Sequence, residues 1–344
     1  MVTDVSLSPP PPKVQDDVLQ IDRLSVEFAT DRGWTKVVDD VSFTVPLGTT
    51  VGLVGESGSG KTVTSLAAMG LLPSRGARVT GSVRVAGQEM VGLAEQELSD
   101  IRGTDVSMVF QEPRRSLSPA FTVGDQIAEV VRRHEGLSKK ASFARAIEML
   151  DIVGIDDAAR RARAYPHEFS GGMCQRVMLA IAMVCKPKLL IADEPTTALD
   201  VTVQKEMLRL MKELQHEFDV SILFITHDLG VVAEMCDRVN VMYAGQVVES
   251  TTIENLFDDP RHPYTEGLLA AIPDPRAKGA RLSAIAGAVP APWDWPSTCR
   301  FQARCTHAEP GRCDAAPIPL HDVTDGRAVR CVRESELTLK GLDG

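Results

Sequence analysis

Gly55-Glu56-Ser57-Gly58-Ser59-Gly60-Lys61-Thr62 fits the pattern G-x-x-x-x-G-K-[ST] and sits between two segments of different character. The β-branched run TTVGLVG precedes it and the helix-like TVTSLAAMGLL follows it. In that order the glycines let the backbone wrap a phosphate chain, with N–H groups presented at a helix N-terminus whose dipole favours anions. Lys61 then reaches the β- and γ-phosphates, and the Thr62 hydroxyl ligates Mg2+. A glycine-rich turn arising by chance would lack the flanking strand and helix. ATP is therefore the expected ligand of residues 55–62.

A second stretch supplies chemistry to match. Leu189-Leu190-Ile191-Ala192-Asp193-Glu194 is an apolar strand ending in two acids, followed by Pro195 and Thr196. A buried strand holds Asp193 near Mg2+, through water, and leaves Glu194 to polarise an attacking water as general base.

Further out, the rhythm is that of an α/β core with a helical insertion. Residues 18–27 read as an opening strand, TDRGWTK as a polar turn, and VVDDVSFTV as a second strand. Residues 112–185 read as mainly helical, with Phe143, Ile147 and Leu150, and again Val177, Ile181 and Val184, recurring at i, i+4, i+7. From Leu189 strands and helices alternate again: a helix over Val201–Phe218, the strand VSILFIT, and the hairpin VNVMYAGQVVES. After about residue 256 proline becomes frequent and periodicity fades. The expected organisation is a poorly ordered proline-rich tail (1–17, with Pro9–Pro12), a nucleotide-binding unit (18–255), and a loop-rich extension (256–344).

Composition narrows the class. The chain has 344 residues, 44% of them hydrophobic and 24% charged, and a formal net charge of −10. That balance suits a globular protein and opposes a nucleic-acid partner. No apolar stretch approaches the roughly 20 residues that span a bilayer; the longest, Val177–Cys185, reads as a buried helix. The N-terminus lacks a secretory h-region, so a cytosolic location with reduced thiols is expected.

Four of the seven cysteines, Cys299, Cys305, Cys313 and Cys331, crowd into the proline-rich extension. Disulfides suit the spacing but not a reducing cytosol, and free thiols do not need the grouping. Four thiolates around a metal centre would staple a segment with little core. An S4 set suits Zn2+ or an Fe–S cluster, and zinc sites usually carry tighter C-x2–4-C pairs.

Beside these elements stands Phe169-Ser170-Gly171-Gly172-Met173, and with it the chain resembles an ABC-transporter ATP-binding subunit from about residue 18 to the end. The resemblance implies a P-loop NTPase core of ABC type with an inserted helical subdomain, an antiparallel β part and a C-terminal extension. It implies that Ser170, Gly171 and Gly172 form the signature loop, contacting the γ-phosphate of ATP held by a second, related or identical, ATPase subunit. It likewise implies that Gln111 in VFQEP touches Mg2+, that Ala198-Leu199-Asp200 lies at the dimer seam, and that His227 in ITHD contacts the γ-phosphate. An aromatic from the first strands would stack on adenine; Trp34 is favoured over Phe28.

SLSPAFTVGDQIAE (116–129), FSGGM, ALDVTVQ (198–204) and RHPYTEGLLAAIP (261–273) resemble the peptide-importer branch, which includes nickel importers. Two membrane permease subunits, an extracytoplasmic solute-binding protein and a peripheral place on the cytoplasmic face of the membrane are implied partners and location. The cysteine tail also resembles that branch, in which some members carry a [4Fe–4S] centre, so the cluster is favoured over Zn2+. Two residues depart from the wider pattern: Met173 replaces the common Gln, and Cys174 stands where the branch commonly has Arg. The rival readings are an importer of nickel or another small solute, and a soluble ABC ATPase of translation or DNA repair. A single ATPase unit and net acidity oppose the last.

Overall fold

The computed structural model describes residues 17–197, 199–272, 285–323 and 326–342. Residues 1–16 of the expected N-terminal tail, Ala198 and Pro273 lie outside them, and Asp17 opens the first strand.

The described residues form twelve strands: β1 (Asp17–Thr30), β2 (Gly33–Pro46), β3 (Thr50–Val54), β4 (Ala77–Val85), β5 (Gln88–Glu89), β6 (Val106–Val109), β7 (Leu189–Asp193), β8 (Ser221–Thr226), β9 (Arg238–Tyr243), β10 (Gln246–Thr252), β11 (His321–Val323) and β12 (Arg327–Val329). They form two sheets. The smaller is antiparallel, in the order β2-β1-β4-β5. The larger runs β11-β12-β10-β9-β3-β8-β7-β6; its strands β9, β3, β8, β7 and β6 pair in parallel, and β10, β12 and β11 extend it antiparallel.

The parallel strands are short apolar runs because both faces are covered. Successive side chains point to opposite faces. Leu190, Ala192, Ile222 and Phe224 therefore join one core with the helices 123–135, 171–183 and 201–218. Leu189, Ile191, Leu223 and Ile225 join another, beneath β1, β2 and β4. The helical insertion is punctuated as its sequence dictates. Thr122 and Ser138 cap Val123–Glu135 and Lys139–Ile152, accepting from the N–H groups of Asp125 and Ala141, and Gly136 closes the first helix at φ 66°.

One expectation needs correction. The polar turn before β2 shrinks to Asp31 and Arg32, because Trp34 and Thr35 pair with Ala29 and Phe28 as a continuation of the hairpin. The chain beyond residue 256 is loop-rich, as expected, and also carries a few short regular elements. Helices Ile253–Asp258 and Pro263–Ala270 pack there, and β12 adds to the main sheet through Glu249↔Val329 and Ser250↔Ala328. Two- and three-residue pairings are too short to leave a periodic signal in sequence.

Candidate active site

The loop 55–62 leaves β3 and opens the helix Lys61–Ala68. Its path needs glycine at Gly55: φ is 150°, and a Cβ there would lie 2.1 Å from the Met242 carbonyl oxygen. Among the described residues, the N–H groups of Gly60, Lys61 and Thr62 take no protein partner. They are the donors that a helix leaves free at its N-terminus. Lys61, 6% exposed, folds back on its own loop, donating to the carbonyls of Gly55 (2.7 Å) and Glu56 (3.0 Å). Burial holds its pKa below the usual lysine value, against the carboxylates of Glu194, Asp193 and Glu56.

The two acids behave differently. Asp193 ends β7 almost fully buried, with the Thr62 hydroxyl 3.5 Å from Oδ1. Burial pushes its pKa up to about 6, opposed by the bond from Thr62 and assisted by the charge of Glu194. Glu194 leaves the strand in the left-handed region, at φ 47°, a conformation that costs a non-glycine residue roughly 1–2 kcal/mol. Its N–H donates to the Ile225 carbonyl at 2.9 Å, which ties the strained residue to β8.

Three side chains meet on the Glu194 carboxylate. Gln111 Nε2 donates to Oε2 at 2.8 Å, Thr197 Oγ1 donates to the same oxygen at 2.9 Å, and His227 Nδ1 lies 3.1 Å from Oε1. An ionised carboxylate only accepts, so Nδ1 carries the proton. Burial raises the pKa of Glu194, but the bonds from Thr197 and His227 and the charge of His227 outweigh it and keep the group below the usual carboxylate range. A carboxylate offers about four acceptor positions; three are taken, and one is left for a water. The Oε1 of Gln111 remains available to a hard cation.

Ser170 caps the helix Gly171–Met183, its Oγ accepting from the Met173 N–H. Gly172 lies against the helix 201–218, where a Cβ would meet Val203 at 2.9 Å. No hydrogen bond joins Ser170, Gly171 or Gly172 to residues 55–62 among the described residues. Cys174 is fully buried with its thiol toward the Pro166 carbonyl, so it packs as an apolar residue where an Arg would need an outlet. Asp200 caps Val201–Phe218, accepting from Thr202 and Val203.

Of the two aromatic candidates, Phe28 packs against the core under the small sheet. Trp34 is exposed, with the Arg78 guanidinium over its ring at 3.6 Å.

Thr197 and Gln175 escaped the sequence reading. Gln175 is buried and donates to the Pro195 carbonyl, tying the helix 171–183 to the acid strand. The His262-Pro263-Tyr264-Thr265 run gains a physical role. The fully buried Glu249 carboxylate accepts from the N–H groups of Arg261 (2.8 Å) and His262 (2.9 Å) and from the Thr265 hydroxyl (2.6 Å). Tyr264 reaches the phosphate loop, where its Oη accepts from the Glu56 N–H at 2.9 Å.

Cys299, Cys305, Cys313 and Cys331 carry free thiols and line one small cavity together with His262 and Phe301. A backbone N–H donor approaches each sulfur: Phe301 and Gln302 for Cys299, His307 for Cys305, Glu309 for Cys313 and Arg333 for Cys331. Burial pushes the thiols of Cys299 and Cys331 up to about 11. Among the described residues no three His, Cys, Asp or Glu side chains come together closely enough to hold a metal ion.

The family "ABC transporter" matches residues 38–197, and "Oligopeptide/dipeptide transporter, C-terminal region" matches residues 248–313. The oligopeptide transport ATP-binding protein AppD of Bacillus subtilis is 49% identical over 91% of this chain and 96% of its own. The oligopeptide transport ATP-binding protein OppD of Salmonella typhimurium is 47% identical over 94% and 96%, and the dipeptide transport ATP-binding protein DppD of Escherichia coli 46% over 91% and 96%. Among solved structures, the dimeric ATP-binding cassette MJ0796, in a post-hydrolysis state bound to ADP and Pi, superposes with a TM-score of 0.61 at 25% identity. That match covers 68% of this chain and 98% of the cassette.

Proposed function

The chain belongs to the ATP-binding proteins of ABC transporters, in the branch that carries the oligopeptide/dipeptide C-terminal region, and on that premise we propose that it powers the uptake of di- and oligopeptides through a membrane permease. It is an ATPase. No helix among the described residues is long and apolar enough to cross a membrane, so the translocation path belongs to partner chains.

The observation that carries the reading is the set of donors on Glu194, assembled from three separate parts of the chain. On ATP binding, Lys61 exchanges the carbonyls of Gly55 and Glu56 for the β- and γ-phosphates, and the free N–H groups of Gly60, Lys61 and Thr62 cradle the chain. Thr62, Gln111 and Asp193 would hold Mg2+, which neutralises charge developing on the phosphoryl oxygens. Glu194 takes a proton from the water that attacks the γ-phosphorus, held in place by Gln111, Thr197 and His227. His227, with its side chain 61% exposed, turns its other nitrogen to the γ-phosphate. Ser170, Gly171 and Gly172 complete the site of a second ATPase subunit, in a head-to-tail pair. Trp34 offers the free face of its ring to adenine.

For the four cysteines, the reading favoured from their spacing and from the resemblance of the tail to the peptide-importer branch is a [4Fe–4S] cluster, with Zn2+ as the alternative. Each sulfur already has an N–H donor, the bonding that tunes and stabilises cluster thiolates. Cys299, Cys305, Cys313 and Cys331 would hold it, and it would staple the segment to which they belong. An extracytoplasmic solute-binding protein delivers the peptide, and the ATPase works at the cytoplasmic face.

The test is assembly. The chain should co-purify from detergent-solubilised membranes with two permease subunits, and peptide-loaded binding protein should stimulate its ATP hydrolysis. Stimulation by nickel or another small solute, with none by peptides, would replace the substrate class. Purification without permease chains would move the protein to the soluble ABC ATPases.

A further inference from the structure

The phosphate loop is held from outside by the C-terminal segment, and the hold converges on Glu56. Every polar group of that residue is engaged. Its N–H donates to Tyr264 Oη, its carbonyl accepts from Lys61 Nζ (3.0 Å) and from the Ser59 N–H (3.2 Å), and its carboxylate takes both arms of Arg304. Arg304 Nη1 lies 2.7 Å from Oε2 and Nη2 3.0 Å from Oε1, a fork-to-fork pair of the strong kind. The guanidinium is fixed in turn. Its Nε donates to the Ala286 carbonyl at 2.9 Å, and its side chain is only 5% exposed.

Arg304 belongs to the short loop between Cys299 and Cys305, which is itself anchored to the core. Phe301 packs edge-on against Tyr243 and Tyr264, with ring centroids 5.2 and 5.3 Å apart. Arg300 pairs with Asp39 and donates to the Ala244 carbonyl at 2.6 Å.

An acid in a loop that receives a triphosphate is a liability, because its charge repels the ligand. The Glu56 carboxylate already acts on the charge of Lys61. We propose that Arg304 is a positioning residue of the ATP site: it fixes Glu56, keeps the loop in its cradle shape, and cancels the one negative charge that the loop carries. The proposal rests on the reading of residues 55–62 as the phosphate loop. Lysine would satisfy one carboxylate oxygen and the charge but not the fork.

The experiment measures ATP affinity in the full chain, and KM and kcat in the assembled transporter. Arg304→Gln should weaken ATP binding about 10-fold, a loss of about 1.4 kcal/mol, and raise KM while kcat changes less than about twofold. Arg304→Lys should fall between. Adding Glu56→Gln to Arg304→Gln should restore most of the affinity, because the uncompensated charge is then gone. A merely structural pair would lose stability further instead. Wild-type affinity in Arg304→Gln, or no recovery in the double variant, overturns the proposal. If Arg304→Gln fails to fold by circular dichroism, the same comparison is made with Arg304→Lys, alone and with Glu56→Gln. Lys61→Ala separates the two readings: if it leaves ATP affinity intact, the assignment of the phosphate loop fails, not only the clamp.

Discussion

His227 Nδ1 lies 3.1 Å from Glu194 Oε1, joining the end of β8 to the end of β7 across the mouth of the site. Together with the bond from Thr197, it keeps the Glu194 carboxyl below the usual carboxylate range, and it occupies one lone pair of Oε1.

If Glu194 is the base, Glu194→Gln keeps the shape and most of the bonds but cannot take a proton. Turnover in the assembled transporter should fall by ~10²–10⁴, while ATP still binds and the ATP-bound dimer persists. Hydrolysis near the wild-type rate would remove Glu194 from the role.

Asp193 gives a pH signature. Its folded pKa, about 6, lies above the ordinary carboxylate value of 3.8, so the folded chain binds a proton that the unfolded chain lacks between those limits. Without nucleotide or Mg2+, this group's contribution to stability should therefore decline as pH rises from 4 to 6. Asp193→Asn removes that slope. Its stability advantage over wild type should be largest above pH 6 and shrink towards pH 4, as read from denaturant midpoints in chelator. A pH-independent difference would refute the shift.

The cysteine cavity makes a compositional prediction. Anaerobically purified protein should be brown and carry about four irons per chain. Replacing any of Cys299, Cys305, Cys313 or Cys331 by Ser should bleach it and loosen the segment. One zinc per chain without iron or sulfide would favour the zinc alternative, and metal-free anaerobic material would exclude both.

Glu249 tests the anchorage of the His-Pro-Tyr-Thr run. Glu249→Ala strands the donors of Arg261, His262 and Thr265 in a closed interior, and should cost about 1–3 kcal/mol for each donor left unsatisfied, read in denaturant unfolding. Glu249→Gln, which retains an acceptor, should cost less. Equal losses in the two variants would show that the contacts, and not the acceptor, hold the turn.

The sequence announces what is local and repetitive. Residues 55–62 read as a phosphate loop because the strand, glycines and helix are contiguous, and Val201–Phe218 is a helix with the bounds its apolar spacing sets. Residues 189–193 form a strand for the same reason. What stays hidden depends on distant partners. β6, β11 and β12 are only three or four residues long and owe their extended form to neighbours across the sheet. Thr197 and Gln175 acquire meaning only when the helix 171–183 packs beside β7. No spacing rule links Arg304 to Glu56 across 248 positions. His-Pro-Tyr-Thr was visible as a pattern, yet its chemistry waited for Glu249 and Glu56 to be placed beside it.

The antiparallel addition of β12 to β10 bears on how this chain can be cut. Without the C-terminal segment, β10 would become an unpaired border strand presenting Val247, Val248 and Glu249, all buried in the intact chain, to any passing extended peptide. In the whole protein the border is instead β11, three residues long and carrying His321 and Asp322, a poor template for association. A truncation that isolates the ATPase core should therefore yield a sticky, self-associating product. Exchange of C-terminal segments between relatives should succeed best when the β10 partner travels with the graft.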